Sequence, residues 1–550
     1  MSLKEEIKKI VKGDVADDEE TLVKYSRDAS LLEIRPKLVV FPKNSKDVQA
    51  LVKFVSEKKK NGENIYLTPR AGGSDMTGGP LGESVILDFT RYMNHLRALG
   101  RDFAVVEPGM YYRDFEKETL KKNLLMPSFP ASREMAAIGG IVANNAGGEK
   151  TLSYCKTLDY VDEVKVMLFD GKEYTFGPLT LKQLDRKLTL DSAEGQVYRK
   201  IYTLIEANFN DIHSARPKVT KNSSGYYLWD VWDKKTFNLA KLFTGSQGTL
   251  GIITEVRLRL IRPLPYSRLL VIFLKKSDTG KLSEIVNHIL QFNPETFESY
   301  DDHTLKLAVK FIPQFIKRLR GNIFTLGIKF IPELKMMLTG GFPKFVLTAE
   351  FTGESQKQVL EKVKHAHDSL KRFHLKTHIT HDDAEAGKYK LIRRESFNLL
   401  RKQVKNKQTA PFIDDIIVNP EYLPEFLPKL DDILADYPEL TYTVAGHIGN
   451  GNFHIIPLVD LDGPKIKEII PEVAKRVYDL VFSYHGSMSA EHNDGLIRGP
   501  YLRQMFGKKI YRLFEDTKHI FDPFGIFNPG KKIDTDPEYV LAHLKHGHKE

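Results

Sequence analysis

Cysteine is almost missing from this sequence: Cys155 is the only one in 550 residues. An internal disulfide is therefore excluded. So is a thiolate-held iron–sulfur cluster within this chain, because such a cluster normally takes four cysteines. A reducing, cytoplasmic setting is expected. No apolar run approaches the length that crosses a bilayer. A secretory leader is not expected either, because Glu5 and Glu6 stand where a cationic and then apolar stretch is needed. The opening residues read instead as an amphipathic helix. Ser2 and Glu5 form a capping box, Leu3, Ile7, Ile10 and Val11 share a face, and Gly13 ends it. Internal repeats and low-complexity tracts are absent, as are zinc-finger spacing and the aromatic signature of RNA-recognition modules. The formal charge of +10 and pI near 9.1 are therefore not read as a nucleic-acid footprint. The lysines are scattered along the whole chain.

What is present is a globular composition, 41% hydrophobic and 28% charged, on a chain too long for one core. Two or more domains are expected. Leu38 to Phe41 reads as a strand, followed by a helix with Val48, Leu51, Val52 and Val55 on one face. Ile65 to Leu67 reads as the next strand, then comes a glycine loop, then the strand Val85 to Leu87. A nicotinamide-binding Rossmann unit needs a helix straight after its glycine loop, so the strand here excludes that simple reading. Asp159 to Phe176 reads as a hairpin turning at Asp170-Gly171. Leu239 to Leu260 reads as strand-rich, and the pattern changes near Arg262-Pro263-Leu264-Pro265. The tail after Tyr501 reads as helix and then a turn-rich closing segment.

Three glycine segments stand out. The first runs from Pro69 through Arg70, Ala71, Gly72, Gly73, Ser74, Asp75, Thr77 and Gly78 to Gly79. Glycines let backbone N–H groups converge on phosphate, and the two hydroxyls add donors. Its spacing resembles a Walker loop, but Gly79 stands where the lysine belongs, so nucleoside triphosphate hydrolysis is not expected. The second runs from Pro127 to Gly148 and contains Gly139, Gly140, Asn144, Asn145 and Gly147. The third contains Gly245, Gly248 and Gly251. Any one alone is a tight turn; three, each read as ending or starting a strand, point to a cofactor.

The other signal is His447-Ile-Gly-Asn-Gly-Asn-Phe-His454, followed later by Glu491-His492-Asn493-Asp494-Gly495. The glycines and asparagines argue against a helix. Two strands joined by a glycine-rich turn bring both imidazoles to one end. Two imidazoles and a carboxylate suit zinc, manganese or iron(II), and three ligands leave open positions, as catalytic sites do. Adjacent residues on a straight strand point apart, so the Glu491-His492 segment must bend. Asp414 and Asp415 read as supporting residues before a strand that begins at Ile416.

In these segments the chain resembles the FAD-linked oxidases of the vanillyl-alcohol oxidase (p-cresol methylhydroxylase) fold, in the branch of D-lactate dehydrogenase, D-2-hydroxyglutarate dehydrogenase and the glycolate oxidase flavin subunit. The likeness runs from Tyr25-Ser-Arg-Asp-Ala29 to Asn528-Pro-Gly-Lys531. It is most specific in the glycine segments, Lys221-Asn-Ser-Ser-Gly-Tyr226, His447 to His454, and Glu491-His492. The resemblance implies an α+β fold: a two-part FAD-binding domain, an α/β substrate (cap) domain, and a C-terminal segment returning to the FAD domain. The expected divisions are 1–35 (helical), 36–265 (FAD-binding), 266–499 (cap, with the metal site) and 500–550 (C-terminal).

It also implies roles. The first two segments, with Pro127, wrap the pyrophosphate and isoalloxazine of FAD. The third, with Ile252 and Ile253, lies against the adenine–ribose side, and Asn528 joins the cofactor set. No histidine occurs in the first loop, so FAD is expected to be non-covalent. His447, His454 and Glu491 hold the divalent metal, and His492 is the catalytic base. Leu391-Ile-Arg393-Arg394-Glu-Ser-Phe397 resembles the arginine segment. Arg393 is the choice for the substrate carboxylate, with Arg394 as the alternative register, and Lys221 and Asn222 are further substrate candidates. Many relatives carry glycine where Asn493 stands.

The implied function is oxidation of a D-2-hydroxy acid to the 2-oxo acid by hydride transfer to flavin N5. The electron acceptor is a quinone, an iron–sulfur partner protein or an electron-transfer flavoprotein. A flavin subunit with little activity alone, or a non-redox relative such as alkyl-glycerone-phosphate synthase, are the alternatives. Residues 305–338 carry seven lysines and arginines against one acid, interleaved with apolar residues. They read first as helices covering the cap sheet. Peripheral contact with the inner membrane face is the alternative.

Overall fold

The computed structural model describes residues 1–310, 343–403 and 407–546. Its first sheet has the strand order Asp14–Ala16, Leu38–Phe41, Val85–Asp88, Leu67–Arg70. The last three strands are parallel. Leu38–Phe41 and Val85–Asp88 are buried at every position, as strands covered on both faces are. The crossover helix Ser45–Lys60 begins at the Asn44 cap and buries Val48, Leu51, Val52 and Val55, the face read from the sequence. The second sheet is antiparallel, in the order Leu96–Leu99, Phe103–Val106, Ile252–Arg259, Val161–Met167, Glu173–Phe176. Its last two strands are the expected hairpin, with Gly171 left-handed in the turn.

The cap is built on a seven-stranded antiparallel sheet. Its order is Lys376–Ile379, Tyr266–Leu274, Phe345–Gly353, Thr296–Asp301, Val444–His447, Asn452–Ile455, Ile416–Ile417. Helices Leu282–Leu290, Gln356–Ser369, Leu423–Ala435 and Ile466–Ser483 present apolar residues to one continuous core that includes this sheet. The chain then returns. Helix Leu502–Phe521 packs on the second sheet, its Phe521 ring 5.2 Å from Phe243, which in turn lies 4.8 Å from Phe176. Phe527 bridges to Leu67 at the end of the first sheet. The result is the α+β, two-part arrangement the sequence implied.

Local expectations needed correction. The opening helix is shorter, Leu3–Lys8, so Ile10 is exposed; the Ser2–Glu5 capping box is present. Residues before 36 are not only helical, because Asp14–Ala16 pairs with Leu38–Phe41. The strand expected at Ile65–Leu67 is Leu67–Arg70, which makes Arg70 a strand end rather than a loop residue. The second glycine segment does not border a strand. It enters the helix Ile138–Ala143, where Gly139 lies so close to Pro108 that an added Cβ would meet it at 2.5 Å. Leu239 to Leu260 contains a short helix, Ala240–Phe243, before its strand. Of the basic stretch 305–338, only the part up to Lys310 falls within the described residues, in the helix Asp302–Lys310; the rest lies outside them. Among the described residues no helix is long and apolar enough to cross a membrane.

Candidate active site

A cleft of about 1930 Å³ runs between the FAD-side sheets and the cap. Arg70 through Asp75, Gly139, Gly140, Asn144, Gly147, Gly248, Gly251 and Ile253 line it from one side. Arg393, Arg394, His447, His454, Glu491 and His492 line the other. The cleft exceeds the range of pockets for single small ligands and has room for a dinucleotide and a substrate together. Part of its floor is glycine backbone. A Cβ at Gly140 would meet only Ala71, at 3.5 Å, and would otherwise project into the space. That cradle fits a flavin dinucleotide.

Eight residues read as cofactor contacts stand behind this wall: Thr77, Gly78, Pro127, Asn145, Gly148, Gly245, Ile252 and Asn528. Several brace it. Asp75 Oδ2 accepts from the N–H of Thr77 and Gly79, and its Oδ1 accepts from Asn144 Nδ2 at 2.7 Å. Gln247 Nε2 donates to Thr77 Oγ1, and Asn528 Nδ2 donates to the carbonyls of Gly79 and Gln247. The three glycine segments are thus tied to one another by side-chain amides and one carboxylate.

The metal-type cluster forms as the hairpin reading required. Val444–His447 and Asn452–Ile455 pair antiparallel, with Ala445 opposite His454. The turn between them ends at Gly451, φ +72, where a Cβ would sit 1.8 Å from the Val418 carbonyl oxygen. Gly451→Ala is expected to cost about 2–4 kcal/mol, from overpacking plus a left-handed alanine. A urea melt measures it; an unchanged midpoint would mean the turn has room that this geometry denies.

Glu491 lies between the two imidazoles. Its Oε1 is 3.4 Å from His447 Nε2, and its Oε2 is 3.9 Å from His454 Nε2. Two donors each about 2.1 Å from a tetrahedral zinc lie about 3.4 Å apart, so the set fits a first-row divalent cation with a small inward adjustment. The other ring nitrogens are held by carboxylates. His447 Nδ1 is 2.8 Å from Glu298 Oε1, and His454 Nδ1 is 3.2 Å from Asp414 Oδ1. A carboxylate on Nδ1 fixes the proton there and leaves Nε2 as the free donor, the usual support for a metal-binding histidine.

Asp414 serves two rings. Its second oxygen lies 3.0 Å from His492 Nδ1, and the His454 and His492 rings stack at 5.3 Å. Burial disfavours the Asp414 anion, but His492 and His454 hold the carboxyl well below its ordinary range. Burial likewise disfavours the His492 cation, but Asp415 and Asp414 outweigh it and push the imidazole up to about 9. The same opposition acts on Glu491, where Lys221 and His447 overcome burial and keep the carboxylate ionised. Neither Glu298 nor the double use of Asp414 was read from the sequence. Glu298 lies on a neighbouring strand far away in the chain. The only hint was three acids close together, Glu295, Glu298 and Asp301, the last two in a strand that is buried at every position.

The arginines separate. Arg393 Nη2 is 2.5 Å from Glu298 Oε2, in the cluster, with the side chain 9% exposed. Arg394 pairs with Glu149 across the cleft at 2.7 Å and is 40% exposed. Lys221 and Asn222 do not line the cleft. Lys221 Nζ is 2.6 Å from Glu491 Oε1, on the buried side, and Asn222 bonds to Ser224 and Ser487. Asn493 is left-handed, φ +70, and its Nδ2 donates to the carbonyls of Asn144 and Gly245. Asparagine adopts that conformation more readily than most residues. A second group of ligand-type residues, His378, His381 and Glu385, lies at the edge of the cap sheet. There Glu385 accepts from the His381 N–H and sits against His378, as a helix-start brace does.

Residues 36–177 match the FAD binding domain family, and residues 270–532 match the C-terminal domain of FAD linked oxidases. Over 94% of its length the chain is 25% identical to D-2-hydroxyglutarate dehydrogenase of Pseudomonas putida, of which it covers 50%. It is 24% identical to the glycolate oxidase subunit GlcD of Bacillus subtilis, covering 93% of this chain and 92% of that one. The chain thus spans about half the length of the Pseudomonas putida enzyme and nearly all of the glycolate oxidase subunit; it also covers 98% of the D-2-hydroxyglutarate dehydrogenase of Stutzerimonas stutzeri, at 25% identity. Among solved structures, p-cresol methylhydroxylase with substrate bound superposes with a TM-score of 0.65 at 16% identity, covering 94% of both chains. Alkyldihydroxyacetonephosphate synthase superposes with 0.64 at 16%, covering 94% of this chain and 82% of that one. The cradle, the cap and both domain matches agree, and this chain belongs to the FAD-linked oxidases, on the fold of p-cresol methylhydroxylase.

Proposed function

We propose that this chain oxidises a D-2-hydroxy acid to the corresponding 2-oxo acid, with FAD and a divalent metal. The observation that carries the reading is the convergence of His447, His454, Glu491 and His492 at one wall of a glycine-floored cleft. When bound, FAD supplies a hydride acceptor at N5, and zinc, manganese or iron(II) supplies Lewis acidity toward the substrate's hydroxyl and carboxylate oxygens. The remaining work falls to the protein. Arg393 offers a planar fork of donors for a carboxylate, held in direction by Glu298. His492 takes the hydroxyl proton at Nε2, because Asp414 holds its Nδ1. Asp414 also stabilises the imidazolium that results. In the free protein that imidazole favours the protonated form near neutrality, so it must first lose its proton; a cation bound beside it lowers its pKa. The apolar core behind the cap strands and the glycine floor keep water from the far sides of the site.

The relatives named as oxidase subunits support a partner that receives the electrons, and non-covalent FAD remains the expectation. The test is anaerobic mixing of the purified yellow protein with a panel of D- and L-2-hydroxy acids, with metal analysis alongside. Bleaching by D-acids, lost when metal is stripped and restored by adding it back, is the expected outcome. A flavin that no 2-hydroxy acid bleaches in metal-replete protein would sink the reading.

A further inference from the structure

We propose that Asp415 is the positioning residue that folds the Ala490–Asn493 turn so that two adjacent side chains, Glu491 and His492, face the same cleft. The inference rests on the metal-and-base reading above and assigns how this chain builds that site. Neighbouring residues of an extended strand point to opposite faces, so the pair needs a bend. The bend is built on one oxygen. Asp415 Oδ2 accepts the backbone N–H of Glu491 and of His492, each at 2.7 Å, and the Ser489 hydroxyl at 2.8 Å. Successive N–H groups converge on a single anion only when the backbone curls around it.

The rest of Asp415 anchors that oxygen. Its backbone carbonyl accepts the Ala490 N–H at 3.0 Å. Its Oδ1 accepts Asn452 Nδ2 at 3.1 Å, and Asn452 begins the strand that carries His454. One fully buried carboxylate therefore ties the hairpin of the two histidines to the turn of the glutamate and the base. Asp415 is itself left-handed, φ +67, a conformation that glycine, asparagine and aspartate adopt more readily than other residues. Its role is distinct from that of Asp414, which acts on imidazole rings. Asp415 hydrogen-bonds backbone amides, the Ser489 hydroxyl and the Asn452 amide, and reaches the His492 ring only through its charge.

The left-handed backbone selects the variants. Asp415→Gly removes the carboxylate without backbone strain, and Asp415→Asn keeps an acceptor oxygen but not the charge. In the full-length, flavin-loaded protein, hydrogen exchange followed by mass spectrometry should show the Glu491 and His492 amides exchanging ~10-fold faster or more in Asp415→Gly, with a smaller acceleration in Asp415→Asn. In metal-stripped protein, zinc affinity measured against a chromogenic chelator should fall ~10–100-fold in Asp415→Gly and recover partly in Asp415→Asn. Wild-type exchange at both amides in Asp415→Gly would overturn the proposal. If that variant yields no folded protein, Asp415→Asn decides, and unchanged exchange with unchanged zinc affinity would overturn it. Glu491→Gln separates the two ideas: zinc binding untouched there refutes the metal reading, while amide exchange still judges Asp415.

Discussion

Replacing His492 with alanine should slow anaerobic flavin reduction by a D-2-hydroxy acid ~10²–10⁴-fold, the usual contribution of a positioned base. FAD content and zinc content should stay at wild-type levels, because neither the glycine floor nor the Nε2 atoms of His447 and His454 depend on this ring. The pH profile supplies the second signature. The base form of a group pushed up to about 9 grows as pH rises, so kcat/KM of wild-type protein should climb from neutrality toward that value. Metal loading should move the limb to lower pH, because a nearby cation disfavours the imidazolium. His492→Ala should lose that limb. A variant that keeps both rate and limb would move the proton acceptor elsewhere, and the reading of the cleft would need a different base.

The second large effect concerns Glu491 and Lys221, paired at 2.6 Å with side chains 5% and 0% exposed. Glu491→Ala removes the one carboxylate in the metal-type set and leaves a buried ammonium with only the Gly148 carbonyl, 3.4 Å away. The expected cost is ~3–5 kcal/mol in a urea melt, with loss of zinc binding. The double variant Glu491→Gln, Lys221→Met replaces the pair with groups of similar size and no charge. It should recover most of the stability while zinc binding stays lost. If the double variant melts as early as Glu491→Ala, the two side chains are not energetically coupled. If it binds zinc as wild type does, the carboxylate is not a ligand. Stability and metal binding are thereby read separately from the same residues.

What the sequence made legible was local. Gly449, Asn450, Gly451 and Asn452 announced a turn, and that turn implied a hairpin with a histidine near each end. Glu491 and His492 were legible as chemistry, and their adjacency alone made a bend necessary. The strand following the first glycine loop excluded a nicotinamide fold for a topological reason that the structure bears out. What stayed hidden was long-range. Glu298 reaches His447 because Ser299 lies opposite Gly446 across two strands far apart in the chain, and no local period encodes that pairing. Lys221 is a substrate candidate from the resemblance alone, and the fold turns it inward against Glu491. The second glycine segment enters a helix although Gly139 and Gly140 disfavour one; Gly139 is packed too closely on Pro108 to carry a side chain.

The route of the chain has a consequence for biosynthesis. Asn528 closes the first and third glycine segments onto each other, and it arrives hundreds of residues after Gly79 and Gln247, the residues whose carbonyls it bonds. A nascent polypeptide can complete its amino-terminal sheet early, since domains fold as units while synthesis proceeds. The cradle lacks that tie until the ribosome has delivered the final helix and the segment beyond it. Cofactor capture is thus a late event on the ribosome or a post-release one, and stalled or prematurely terminated products lack the clasp that would retain the yellow chromophore.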